Sequence, residues 1–443
     1  MTDLTLVRKS LLARLPSTVV TVLTVGVAVA LLLLLLSMRE AGRQSFQRGT
    51  GDMHILVSAD ASPLASVLNS VFYAAAPARA LRMDIYEKIA EDPRLEYAIP
   101  VQQGDNFRGF PTMATVPAFF EKFRPEAGAN GRGFRLRAGA FMKDTFDVVL
   151  GAGVAEATGA KVGDKLVITH GAGRGTPKVE GMSPEEADMH VHDEFPYVIT
   201  GILEPTGSAH DRAVFISLDS TWIIHADERR HADARAAGRP AASVPEPTKE
   251  NLRPEEKLIT GVYIRVKTRE GSEGSPAIGA VFDQLRRDVR LTVARPSREI
   301  DRLLEIIGNI DRILIAIAAV VLVSSAISIA LALYNSMEQR RRQIAVLRVL
   351  GASKGRVFGL VMTESAILGL LGAGVGAAAA ALGTGVVVAE LQRRTGLVVD
   401  PTLEVRAFVA VAMGAVVLAC LAGVLPAVMA YRTTVQRGLR AVG

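Results

Sequence analysis

Hydrophobic positions dominate four long stretches of the chain, each bounded by charge. Twenty-four uncharged residues separate Arg14 from Arg39, and three uncharged runs of 25 cover 313–337, 365–389 and 407–431. About 20 apolar residues suffice to cross a ~30 Å hydrocarbon layer as a helix, so all four are predicted membrane spans. The first is too long for a signal-peptide core, and Arg39-Glu40 follows it in place of a small-residue cleavage site. The predicted fold class is membrane α-helical, with four transmembrane helices and a large α+β domain between the first and the second.

Between these spans the pattern changes to short alternating runs. GDMHILVSA (51–59) and TGVYIRVKT (260–268) alternate as strands do, and 81–104 reads as an amphipathic helix, a turn at Asp92-Pro93 and a strand. Residues 146–169 give strand, short helix, a turn at Val162-Gly163-Asp164, and strand. YVITGILEPTG (197–207) and DRAVFISLD (211–219) read as two strands joined by a Pro/Gly turn, and 275–289 as a helix after a Ser/Pro start. Two lobes are the expected assembly. Residues 171–187, rich in Gly, Pro and charge, and 226–257, polar with a short helix before a Pro-rich linker, are expected to be mobile. At 297–315, Ile300, Leu303, Leu304, Ile307, Ile310 and Ile313 share one helix face that runs into the second span. Three partners are open for that stripe: the extension of the first span (39–49), the same stalk in a second subunit, or the chain's own domain.

The expected segmentation is 1–38 for the N-terminus and first span, 39–296 for the inserted domain, 297–312 for the stalk and 313–443 for the remainder. Within the last, the spans are 313–337, 357–389 and 407–431, with a connecting loop at 338–356.

Charge fixes an expected orientation. The N-terminal flank nets +2, the 338–356 loop +5 and the tail +3, whereas 390–406 balances three acids against three Arg. Basic flanks stay in the cytoplasm, so both termini and 338–356 are expected inside and the large domain outside. The formal charge of +6 and pI near 9.5 then report topology, and no nucleic-acid partner is expected. One Cys excludes a disulfide framework.

Candidate chemistry is sparse. No P-loop, Ser nucleophile elbow or H-E-x-x-H motif occurs, and Gly151-Ala152-Gly153 reads as a turn. No catalytic residue and no cofactor is expected. All seven His fall in the inserted domain, and in extended backbone His190 and His192 would point to one side, with His210 as a third zinc ligand. Solvated His on a strand edge is the competing reading. Glu364, an acid within the third span, is expected either to act functionally or to pair with Arg356. Gly372-x-x-x-Gly376 permits close helix packing within or between subunits. MEQRRRQIAVLRVLGASKG (337–355) starts as a basic amphipathic helix with Ile344, Leu347 and Leu350 on one side, Gly351 as its C-cap and Ser353 as the next N-cap. Such a short helix suits either the membrane face or a cleft on a cytosolic partner.

EQRRRQIAVLRVLGASKGRVFGLVMTESAILGLLGAGVG (338–376) resembles the signature of the FtsX-like permease domain of MacB/LolC-type (type VII) ABC transporters. The order of one span, a large domain and three spans fits that family along essentially the whole chain, and 146–169 and 197–219 look like stretches of its periplasmic domain. The resemblance implies that 338–352 is the coupling helix docking on a separate ATPase, with Glu338, Arg341, Gln343, Ile344, Leu347, Arg348 and Gly351 in or beside the contact. It implies a bacterial inner-membrane permease subunit, not itself an enzyme, with ATP bound by the partner. A second permease copy, identical or paralogous, would complete it, with a periplasmic adaptor or lipoprotein and membrane lipid as further partners. MacB carries its ATPase in the same chain, whereas 16 residues precede the first span here, so the ATPase is expected on another polypeptide. The expected work is export, lipid or lipoprotein extraction, or mechanotransmission. The alternatives are a zinc-linked permease and an FtsX-like activator of a cell-wall hydrolase or sensor, whose outer domain is usually smaller.

Overall fold

The computed structural model describes residues 3–125, 131–170, 195–240, 244–269, 272, 274–395 and 405–432. It divides into two compact units, one built from 1–42, 306–390 and the last helix, the other from 43–305. The chain opens with helix α1 (Asp3–Leu12), and α2 (Leu15–Thr50) follows after a turn. Pro16 lies in the first turn of α2, where its missing N–H would have no partner anyway.

The inserted unit begins with β1 (Ile55–Ser58), α3 (Pro63–Phe72), β2 (Leu81–Arg82), α4 (Met83–Ala90) and β3 (Leu95–Phe107). It continues through β4 (Phe110–Thr115), α5 (Ala118–Lys122), β5 (Leu136–Gly139), β6 (Asp147–Leu150), α6 (Ala152–Thr158), β7 (Lys165–Leu166) and β8 (Thr169–His170). Then come β9 (Tyr197–Leu203), β10 (Val214–Ser217), α7 (Leu218–Ala236), β11 (Leu258–Ile259), β12 (Gly261–Val266), α8 (Pro276–Leu285) and β13 (Thr292–Ala294). Ser275 caps α8 through the Ala277 N–H, with Pro276 in its first turn.

The expected two lobes are one continuous sheet in the order β13-β1-β12-β3-β4-β10-β6-β9-β5. The joint is β3, thirteen residues long, which pairs with β12 over Leu95–Val101 and with β4 from Gln102 to Phe107. The register shift between Gln103 and Asn106, where Gly104 adopts φ +148°, lets one strand serve both halves. The strands at 197–203 and 214–217 are not neighbours, because β6 lies between them. Both faces of the sheet are covered, so its strands read as near-continuous apolar runs. Ile55 and Val57 enter one core and Leu56 the other; Ile264 and Tyr263 divide in the same way.

Segment 226–257 departs from its expected mobility. Residues 218–236 are helical, and Arg230 is buried with Nε and Nη2 donating to the two carboxylate oxygens of Glu256 at 2.8 and 2.7 Å. Nη2 also donates to the Asn251 carbonyl at 2.9 Å, which ties the Pro-rich stretch onto α7. Polar composition concealed this, because the two charges that form the tie are 26 positions apart. Residues 171–187 lie outside the described residues.

Helices α9 (Pro296–Val349), α10 (Lys354–Thr395) and α11 (Val405–Arg432) complete the chain. Among the described residues, four segments are long and apolar enough to cross a membrane: Leu15–Thr50, Arg312–Asn335, Lys354–Glu390 and Val405–Met429. In lipid the hydrophobic effect gives no force between helices, so close backbone approach must supply the packing energy. The third span provides it on two faces. A Cβ on Gly376 would lie 2.6 Å from the Gly26 carbonyl oxygen, and one on Gly372 would lie 2.5 Å from Val25, so this glycine pair receives the first span of its own chain. A Cβ on Gly369 would meet Ala419 at 2.7 Å on the fourth span.

Candidate functional site

The expected short helix at 338–352 is the continuation of the second span. MEQRRRQIAVLRV contains neither Gly nor Pro and consists largely of good helix formers, so α9 runs through 337 to Val349 without a break. It ends because Gly351 adopts φ +95°, open to glycine without strain, while the Gly351 N–H bonds the Arg348 carbonyl at 3.1 Å. Ser353 then caps α10 by accepting from the Arg356 N–H at 3.2 Å. The apolar stripe is divided. Ile344 packs against Val357, Val361 and Ala427 inside the bundle, whereas Leu350 is 78% exposed and stands with exposed Val346 and Val349. Arg348 is half-buried and partnered, and the side chains of Glu338, Arg341, Gln343 and Leu347 lie outside the described residues.

Helix α1 is fastened to the start of α10, a contact the sequence did not signal. Arg356 donates from Nε and Nη2 to Oδ1 of Asp3, at 3.0 and 2.7 Å. Two turns further on, Ser10 Oγ donates to Oε1 of Glu364 at 2.9 Å, with Glu364 only 5% exposed. The expected Glu364–Arg356 pair is therefore replaced by two contacts to α1. The Asp3–Arg356 pair is exposed and contributes little, so the buried Ser10–Glu364 bond is the stronger tie.

In the inserted unit, the last turn of α2 is held by a buried histidine. His210 Nε2 bonds the Gly49 carbonyl at 3.1 Å, and Nδ1 bonds the Tyr73 hydroxyl at 2.9 Å. A carbonyl can only accept, so the proton sits on Nε2 and Nδ1 accepts from Tyr73. Phe119, Phe123 and Phe134 wall the ring at centroid distances of 5.9, 5.5 and 6.0 Å. Burial there lowers the imidazole pKa from 6.5 to about 4. The neighbouring Asp211 accepts from the Thr206 and Gly207 N–H groups, both at 2.8 Å, and so shapes the loop that presents His210. With both nitrogens committed to protein groups, His210 is withdrawn from the expected zinc set. His190 and His192 lie outside the described residues, and among the described residues no three His, Cys, Asp or Glu side chains are grouped to hold a metal.

Two glycines make this seat possible. A Cβ on Gly49 would lie 2.4 Å from the Phe72 ring, and Gly51, at φ +54°, turns the chain out of the helix against the Arg124 carbonyl. Asp52 follows directly. Its Oδ1 accepts from the Tyr97 hydroxyl at 2.7 Å and the Arg124 N–H at 3.1 Å, and Arg265 donates to its carbonyl at 2.6 Å. Burial dominates over these bonds and raises the Asp52 carboxyl pKa.

The start of α9 enters the same core. Ile300, 2% exposed, joins the cluster of Phe119, Phe123, Phe215 and Tyr263, and Leu303 and Leu304 pack against it together with Phe46 of α2. The first turns of the stalk stripe thus rest on the chain's own domain, whereas Ile313 is exposed. The side chains of Ile307 and Ile310 lie outside the described residues.

The family model described as the MacB-like periplasmic core domain matches residues 18–275, more than half of the chain, and the FtsX-like permease C-terminal model matches 315–435. No curated protein matches the sequence. Among solved structures, the periplasmic region of MacB from Actinobacillus actinomycetemcomitans is 9% identical, covering 58% of this chain and 95% of that one, with a TM-score of 0.32. The extracellular domain of the noncanonic ABC-type transporter YknZ from Gram-positive bacteria is 7% identical, covering 54% of this chain and 98% of that one, with a TM-score of 0.27. Both are distant, and the assignment rests on the two family models with the four spans around the inserted α+β domain. The chain belongs to the MacB/FtsX-like family of ABC transporter permeases.

Proposed function

We propose that this permease couples ATP hydrolysis by a separate cytosolic ATPase to conformational work in its inserted domain, on the outer side of the bacterial inner membrane. One observation carries the reading: a single helix, α9, contributes Ile300 to the core of the inserted domain and Val346, Val349 and Leu350 to an exposed apolar edge beyond the second span. The strongly basic flanks at 338–356 and at both termini support a cytoplasmic location for that edge. There the ATPase cleft receives 338–352, with Arg341 and Arg348 meeting acidic groups and Leu350 an apolar pocket. ATP is bound by the partner, and the permease itself is no enzyme and carries no cofactor.

Two permease copies pair with two ATPase subunits in this reading. Closure of the ATPase dimer displaces the C-terminal end of α9, and a helix without an internal Pro or break transmits that displacement along its axis. The load arrives at Ile300, Leu303 and Leu304, beside the seat of α2 at His210 and Asp52. The product is movement of the inserted domain, suited to export or to the extraction of a lipid or lipoprotein. The zinc-linked alternative loses support, because its third ligand is committed to Gly49 and Tyr73.

Co-expression with an ABC ATPase from the same host tests the assignment. Arg341→Glu/Arg348→Glu, and independently Leu350→Glu, should lower co-purified ATPase about tenfold or more, since like-charge or desolvated polar contacts cost several kcal/mol at an interface. Arg287→Glu in the inserted domain should change nothing. Undiminished binding by both coupling variants would remove the interface from 338–352.

A further inference from the structure

Within the membrane unit, Pro16, Ser17, Val20, Thr21 and Thr24 of α2 and Ser328 and Ala332 of α9 line an open groove of about 360 Å³. That is within the size range of small-ligand sites, ~300–1,000 Å³. Its position along the chain sets its depth. Ser17 directly follows the basic flank of Arg8, Lys9 and Arg14, and Thr24 lies seven residues deeper, about 10 Å at 1.5 Å per residue. This is the level at which headgroups give way to ester groups and chains.

The groove is lined with hydroxyls that fall into two kinds. Thr24 Oγ1 donates to the Thr21 carbonyl at 2.9 Å and Ser328 Oγ to the Ser324 carbonyl at 3.0 Å, so both protons are committed and their lone pairs are left to accept. Ser17 and Thr21 make no side-chain hydrogen bond among the described residues, although Thr21 is only 4% exposed. Ser17 is exposed and Thr21 lines the groove, and hydrocarbon offers a hydroxyl there no hydrogen-bond partner. Direct contact between the helices does not satisfy them either: Ser325 Oγ reaches across to the Thr24 carbonyl at 3.1 Å, one turn beyond Thr21.

We propose that this groove binds the glycerol-ester region of one phospholipid from the surrounding leaflet. Phosphate or ester oxygens accept from Ser17 and Thr21, and the acyl chains continue inward past Thr24, whose own proton is already committed to the Thr21 carbonyl. Val20 and, seven residues on, Val27 are exposed on the same helix face and offer a rail for an acyl chain. A wholly apolar occupant would leave the two hydroxyls unpaired, and a wholly polar one would leave Val20 and Ala332 without contact. The ligand therefore joins ester and hydrocarbon in one molecule. Held between α2 and α9, it sets the separation of the two helices that lead to the inserted domain.

Native mass spectrometry of the full chain tests this, after extraction from nanodiscs of mixed phosphatidylethanolamine and phosphatidylglycerol. The native chain should keep one phospholipid once loosely held lipid is stripped. Ser17→Ala/Thr21→Val, which deletes both free hydroxyls at nearly constant shape, should lower that retention about tenfold, and Ala332→Phe, which fills the groove, should do the same. Thr21→Ser should retain the lipid, showing that the hydroxyl and not general folding is responsible. A photo-reactive residue at Val20 should label phospholipid. Native-like retention by both Ser17→Ala/Thr21→Val and Ala332→Phe, or capture of a second copy of the chain at Val20, would overturn the proposal.

Discussion

Replacing His210 with Ala should destabilise the inserted domain by about 3–5 kcal/mol, among the largest effects available to a single substitution in this chain. Two costs add. The aromatic wall of Phe119, Phe123 and Phe134 loses its central ring, and the Gly49 carbonyl loses its partner while the Tyr73 hydroxyl keeps only the Met113 sulfur at 3.6 Å. His210→Gln retains an N–H donor and an oxygen acceptor and should recover part of the loss. Trp222, the single Trp, is buried in this domain and donates to the Leu258 carbonyl at 2.6 Å, so its emission reports unfolding in the full-length protein.

The same residue sets a pH dependence. Its pKa is about 4 in the fold against 6.5 as the ordinary value, so the unfolded state takes up the proton first. Stability is complete above about pH 6.5 and falls as pH drops towards 4, by up to about 3 kcal/mol. His54, also lowered to about 4 by burial, adds a smaller loss in the same window because it is less enclosed. Asp52 and Asp211, raised by burial, act in the opposite direction as pH falls. The difference between the native chain and His210→Gln isolates the imidazole. A difference that stays flat from pH 7 to 4 would contradict its buried neutral state.

Gly376→Leu should be the most damaging single change in the membrane unit. Its first side-chain carbon would already lie 2.6 Å from the Gly26 carbonyl oxygen and 2.7 Å from Val29, and backbone cannot yield as a flexible side chain does. Overpacking a tight contact costs about 1–3 kcal/mol or more, and here the loss falls on the seam that joins the first and third spans. Gly374→Leu supplies the control, since nothing lies within 4 Å of a Cβ at that position. Thermal unfolding in nanodiscs should separate the two clearly. Equal tolerance would mean that the first and third spans do not meet at Gly376.

The sequence disclosed features with one-dimensional causes. Spans followed from gaps between charges, the α8 start from Ser275-Pro276, and the end of α9 from a glycine, Gly351, with Ser353 two residues on. Features made by residues far apart were hidden. His210 next to Asp211 reads as a metal-site pair, and only the fold brings it to Gly49 and Tyr73. Arg230 and Glu256 sit in a segment whose composition suggests mobility. Ser10 and Glu364 are 354 positions apart. A buried histidine at a helix end had one faint local signal, the two glycines at 49 and 51 that close an otherwise unbroken helical pattern. The length of α9 was also legible in hindsight, since nothing between Pro296 and Gly351 stops a helix except Gly308, which costs only about 1 kcal/mol.

In the proposed coupling, work done at 338–352 reaches the inserted domain through the seated helix ends. Hydrogen exchange of the permease–ATPase complex, with and without ATP, reads this directly at peptides covering 43–54 and 296–305. The account predicts that ATP changes exchange there, and that Leu350→Glu abolishes the change. Unaltered exchange at both helix ends while ATP is being hydrolysed would contradict it.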